Sequence, residues 1–323
     1  FSNLIIDLRD NPGGLLQSAV QIANEFLPAK KLIVYTKGRR SPRQDHLSDG
    51  HGAYQTMPLV VLINEGTASA AEIFSGAMQD NDRATIIGRR SFGKGLVQQQ
   101  IPFPDGSMIR LTVARYYSPS GRCIQKPFKP GGIAAYEQDM LTRYQHGEFF
   151  SQDSIKHTGP AYHTNNGRLV YGGGGITPDI FVPEDTSDVT SYYKEAAMRG
   201  LILQYAFKYT DENRQTLKKY TEMKPLSEYL TGRNLVNDFA NYAEKNGLRR
   251  RNNLINKSHA LLENYIYSRI IYNILDEQAW NQYLNRNDDM IKAAEKVLNS
   301  GEAFPKAPAK KGHSTKKQQN RTT

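Results

Sequence analysis

The stretch PLVVLINEGTASAAEIFSGAMQDNDRATIIG, residues 58–88, reads as strand, turn, helix and strand in succession. Its first seven residues form a short run that is almost wholly apolar, the pattern of a strand buried on both faces. Ser69 comes at the turn and opens an Ala-rich helix predicted from Ala70 to about Gln79, after which ATIIG returns as a second strand. A serine in that place combines an exposed hydroxyl with unpaired helix N–H groups able to bind an oxyanion.

Upstream the same alternation continues: LIIDL, the amphipathic LLQSAVQIANEFL, then KLIVYTKG. The rhythm predicts an α/β layer with several parallel strands. Asp10-Asn11-Pro12-Gly13-Gly14 is a tight turn between the first strand and the first helix, and the polar residues 37–56 read as a surface loop. Downstream, QQQIPF and SMIRLTVARYY flank the turn Pro104-Asp105-Gly106, which predicts a β-hairpin over residues 96–117. Residues 129–175 read as irregular, and GITPDIFVP then returns as a short extended segment. Beyond Asp185 the character is almost purely helical, with stops at Gly247 and Gly301. The expected organisation is a catalytic domain over residues 1–185, a helical module over 186–300 and a basic, disordered tail over 301–323.

The chain has 323 residues and a formal charge of +10, with much of the excess in the tail, where Lys306, Lys310, Lys311, Lys316, Lys317 and Arg321 face only Glu302. No specific nucleic-acid partner is expected. Weak contact of the tail with acidic surfaces is the most its composition implies. Cys123 is the only cysteine, which excludes an internal disulfide framework, and no cluster of metal ligands is evident. No apolar run is long enough to span a membrane, and no signal peptide precedes the first strand. The abrupt start at Phe1-Ser2-Asn3 reads as a piece of a longer protein.

A serine hydroxyl needs a neighbouring base, and a lysine serves if its environment makes the neutral amine available. Lys94, twenty-five residues after Ser69, lies between Gly93 and Gly95 and is followed by Gln98, whose amide would share its face in an extended segment. LIIDLRDNPGGLL, NEGTASAAEIFSGAMQDNDRATIIG, SFGKGLVQ, DGSMIRLTVARYYSPSGR and GGITPDIFVP together resemble, in order, the catalytic domain of the C-terminal processing peptidases, also called tail-specific proteases. The resemblance covers about the first 185 residues. It implies a crotonase-like, Clp-protease-like α/β superhelix followed here by an all-helical module.

By the same resemblance Ser69 is the nucleophile of a serine endopeptidase, Lys94 its general base and Gln98 the support of that base. The amides of Ala70 and Gly14 form the oxyanion hole, and Glu72 and Asp80 match acidic positions with a structural role. The implied substrates are C-terminal regions of proteins or peptides, no cofactor or metal is implied, and the location is periplasmic or in the cell envelope. The family carries a PDZ domain upstream of this region that the chain lacks. A truncated, inactive peptide-binding scaffold is the alternative. GRRSFGKG also matches the first seven positions of a phosphate-binding loop, but Gly95 stands where Ser or Thr is needed and no helix pattern follows.

Overall fold

The computed structural model describes residues 1–128, 132–157 and 159–306. The described chain divides into two units, the first comprising Phe1–Pro183 with residues 293–306, the second Glu184–Lys292.

The first unit is an α/β core. β1 (Leu4–Asp7), β4 (Leu59–Ile63), β5 (Thr85–Gly88) and β10 (Ile180–Phe181) form a parallel sheet in that order. All five residues of β4 are buried, because the strand is paired on both edges and covered on both faces. α1 (Leu16–Asn24) and α2 (Ala70–Asp80) pack together beside it. Every residue of α2 is buried, so its polar side chains must be satisfied inside the protein. Ser75 Oγ donates to Ala71 O, Gln79 Nε2 to Thr177 O, and the Asp80 carboxylate meets the fully buried Arg122 at 2.7 Å.

A second sheet is antiparallel, in the order β3 (Gln44–Leu47), β2 (Leu32–Lys37), β7 (Met108–Tyr117), β6 (Leu96–Pro102). Here the structure departs from the sequence reading twice. KLIVYTKG belongs to this sheet and not to the parallel one, since a buried apolar run looks alike in either and its partner β7 lies far along the chain. Residues 44–47, expected in a loop, form an edge strand on β2.

Residues 129–175, read as irregular, contain α3 (Ile133–Glu137), α4 (Asp139–Gln145) and a hairpin of β8 (Ala161–His163) and β9 (Leu169–Tyr171). Their core is partly ionic. Arg143 and Glu148 are buried, and the half-buried Arg90 joins Arg143 on the Glu148 carboxylate, so apolar periodicity is weak there. The tail needs a correction as well. Ala303 is only 1% exposed, Thr85 Oγ1 donates to its carbonyl at 3.1 Å, and the Arg83 guanidinium lies over the Phe304 ring. The remainder of the expected tail, residues 307–323, lies outside the described residues.

The second unit is helical: Ser191–Met198, Leu201–Glu212, Arg214–Leu217, Met223–Thr231, Leu235–Lys245, Asn252–Lys257, His259–Ile274 and Glu277–Asn285. Phe239, Leu262, Ile266 and Ile270 form the centre of its core, and Tyr192, Tyr205 and Tyr267 pack into it. Its tyrosines are thus largely packing residues. Among the described residues no helix is long and apolar enough to cross a membrane.

Candidate active site

Ser69 is the residue that turns the chain from β4 into α2, and it does so at φ 57, ψ −117, a conformation an L-residue rarely adopts. Such strain costs on the order of 1–3 kcal/mol and persists only where neighbours over-determine it. The neighbours are explicit. Ala68 N donates to Asn11 O at 2.9 Å, Thr67 Oγ1 to Leu8 O at 2.7 Å, and Asn64 exchanges hydrogen bonds with Asp10. The turn at residues 10–14 is thereby stapled to the turn bearing the serine.

Gly13 explains why that staple needs glycine. Its φ is +87, and a Cβ there would lie 2.5 Å from Ala68 O and 2.6 Å from Ala70 N. Gly14, by contrast, faces open space. The amides of Gly14 and Ala70 have no hydrogen-bond partner among the described residues, which leaves two donors beside the Ser69 side chain.

The loop carrying Lys94 is attached to the serine through one buried carboxylate. Glu72 Oε2 accepts from Ser69 N at 2.9 Å and from Lys94 N at 2.8 Å, while Oε1 accepts from Gly93 N at 2.7 Å and from Ser91 Oγ. Burial pushes the Glu72 carboxyl pKa up, and the four donors pull against that rise. The flanks of Lys94 are pinned as well. Lys126 N donates to Gly93 O and Gln125 Oε1 accepts from Gly95 N, both at 2.9 Å. The Lys126 ammonium is itself sequestered 3.9 Å from the Phe92 ring centre and 4.1 Å from that of Tyr136, where burial lowers its pKa. Arg143 Nη1 and Nη2 donate to the carbonyls of Ser91 and Arg90.

Gly14, Ser69, Lys94 and Gln98 line one cleft of about 540 Å³, whose walls also include Leu96, Gln100, Arg110 and Tyr116. Gln98 lies past a β-bulge between Val97 and Gln98 and makes no side-chain hydrogen bond among the described residues. Ala70 lines an adjoining apolar recess of about 280 Å³, with Ile6, Leu8, Ala19, Ile22 and Phe74; the recess shares Gly13, Gly14 and Leu15 with the cleft. Sequence reasoning missed Tyr116. It lines the cleft beside Ser69, and burial raises its hydroxyl pKa against the lowering effect of the Ser69 side chain. The linking role of Glu72 was also missed, although Ser69-Ala70-Ala71-Glu72 has the S-x-x-E form of a capping box. Another hollow, of about 650 Å³, lies in the helical unit and is bounded by residues such as Tyr220, Met223, Leu275 and Asp276.

Residues 1–135 match the model of peptidase family S41. This part of the chain belongs to that family. Residues 192–276 match a second model, a family of unknown function. Over 122 residues the chain is 49% identical to a carboxyl-terminal-processing protease of Synechocystis sp., covering 38% of the chain and 28% of that protein. It is 45% identical over 117 residues to carboxyl-terminal-processing peptidase 3, chloroplastic, of Arabidopsis thaliana, covering 36% of the chain and 22% of the relative. A solved structure of a photosystem II D1 C-terminal processing protease is similar at 29% identity and a TM-score of 0.39, over 56% of this chain and 35% of that one. The chain thus spans about a quarter of the length of these two curated relatives.

Proposed function

We propose that this S41 chain is the catalytic part of a serine endopeptidase that cleaves polypeptides near their C-termini through an acyl-enzyme on Ser69. Lys94 takes the Ser69 proton during attack and returns it to the leaving amine, with Gln98 supporting the amine. The tetrahedral oxyanion is held by the amides of Ala70 and Gly14. The reading rests on one observation above all: Ser69, Lys94 and Gly14 share a single cleft although they come from three separate turns.

The adjoining apolar recess suits an uncharged side chain next to the scissile bond. A crotonase-like superhelix for the first unit, a separate helical module ending at Lys292 rather than at residue 300, and a location in the cell envelope belong to the same proposal. The test is to replace Ser69 by Ala, and Lys94 by Ala or Arg, in the full-length protein and follow peptide-bond cleavage. Each change should cost on the order of 10²–10⁴-fold or more in turnover with the circular dichroism spectrum unchanged. The arginine should fail because a guanidinium does not shed its proton. Near-normal turnover by Lys94→Ala would overturn the assignment.

A further inference from the structure

The cleft has an uneven charge. Among the described residues Lys94 and Arg110 are its only charged lining residues, and no Asp or Glu lines it. With Lys94 as the proposed base, the other cationic side chain of the cleft is Arg110, whose planar guanidinium fork suits a carboxylate. Arg110 has no ion pair or side-chain hydrogen bond among the described residues, and it is exposed. Several buried or half-buried arginines elsewhere in this unit are ion-paired: Arg89 with Glu65, Arg90 and Arg143 with Glu148, Arg122 with Asp80, Arg168 with Asp82.

Its position is set by the hairpin. Arg110 stands directly opposite Gln100 in the register of β6 and β7, and Gln100 and Gln98 line the same cleft. At about 3.3 Å per residue, the six residues from Lys94 to Gln100 span at most about 20 Å. An extended peptide bound along the cleft advances at the same rate. A group held by Arg110 therefore lies about four to six residues from the bond over Ser69.

Resting on the proposed peptidase reading, we propose that Arg110 is a specificity-determining residue that binds a carboxylate of the substrate polypeptide about four to six residues from the scissile bond. A guanidinium fork matches a carboxylate in a bidentate pair, and the neighbouring Gln98 and Gln100 amides offer further donors. The carboxylate has two sources, the C-terminal α-carboxylate of a short tail or an Asp or Glu side chain within a longer one.

The test uses the full-length protein and a set of twelve-residue peptides with one apolar cleavage site. One pair differs in a free or amidated C-terminus about five residues from the cleaved bond, and another in Asp or Asn at that distance within the chain. The wild type should favour the charged member of one pair by about tenfold in kcat/KM, and which pair responds identifies the source. Arg110→Gln should abolish that preference and leave turnover of the neutral peptides unchanged. Equal rates for both members of both pairs, or a preference that survives in Arg110→Gln, would overturn the proposal. Binding of the same fluorescently labelled peptides to Ser69→Ala protein separates this inference from the reading it rests on. Arg110-dependent binding of the charged peptides without any cleavage by the wild type would remove the peptidase assignment and leave the carboxylate site standing.

Discussion

Glu72 is the residue on which the site's geometry most depends, and its replacement by glutamine gives the sharpest test. The carboxylate accepts four hydrogen bonds, two at each oxygen, from Ser69 N, Lys94 N, Gly93 N and Ser91 Oγ. Glutamine has almost the same shape but keeps only one accepting oxygen. Its amide nitrogen would face two donors, leaving them unsatisfied in a fully buried place. At about 1–3 kcal/mol for each orphaned donor, the loss is about 2–6 kcal/mol. Part of this is offset because a neutral side chain avoids the desolvation that raises the Glu72 pKa, so the lower half of the range is expected.

That is a large fraction of the roughly 5–15 kcal/mol that stabilises a domain. The effect on catalysis should be distinct. The one atom Oε2 ties the backbone of Ser69 to that of Lys94, so loosening it moves the proposed nucleophile and base apart without altering the rest of the cleft. Turnover by Glu72→Gln in the full-length protein should fall in kcat far more than KM rises, and urea unfolding should show the stability loss. A variant within about 0.5 kcal/mol of the wild type and with unchanged kcat would refute the linking role.

Gly13→Ala should lose most activity and stability, because its Cβ would lie 2.5 Å from Ala68 O at a positive φ, whereas Gly14→Ala has open space and should keep the fold; thermal midpoints and peptide turnover distinguish them. The Glu148 carboxyl is pushed up by burial, but Arg90 and Arg143 outweigh this and hold it below its ordinary value. Its ionised form therefore contributes stability above the unfolded carboxyl range, and this is lost as pH falls from about 5 through the folded value. Denaturant midpoints followed against pH should show a shallower acid limb in Glu148→Gln, and an unchanged slope would count against the buried pair as its origin.

The second unit shows what amphipathic patterning alone can deliver: each helical stretch beyond Asp185 carries enough apolar residues at helical spacing to be recognised without knowledge of its neighbours. The hairpin at 96–117 was equally legible, because a Pro-Asp-Gly turn and alternating strands are local signals, and Gly106 adopts the positive φ that the turn requires. The segment at 129–175 was not. Its helix α4 buries Arg143 against Glu148 and Arg90, so a residue type that normally marks the surface stands in the interior. The start of the tail was misread for a related reason. Lysines dominate its composition, but Ala303 and Phe304, next to Gly301, are the residues that dock.

Sequence by itself determined that a serine stands at a strand-to-helix turn, that a glycine-flanked lysine follows twenty-five residues later, and that an α/β part precedes a helical one. Those are statements about neighbours along the chain, where propensity and periodicity act. Only the tertiary structure decided that Lys94 shares a cleft with Ser69, that Glu72 joins their backbones and that Tyr116 lines the same cleft. It also left Arg110 as the cleft's one unpaired arginine among the described residues. The physical reason is the same in each case: a buried carboxylate, a closed loop or an unpaired charge is set by which distant segments exclude water together. No local pattern encodes that.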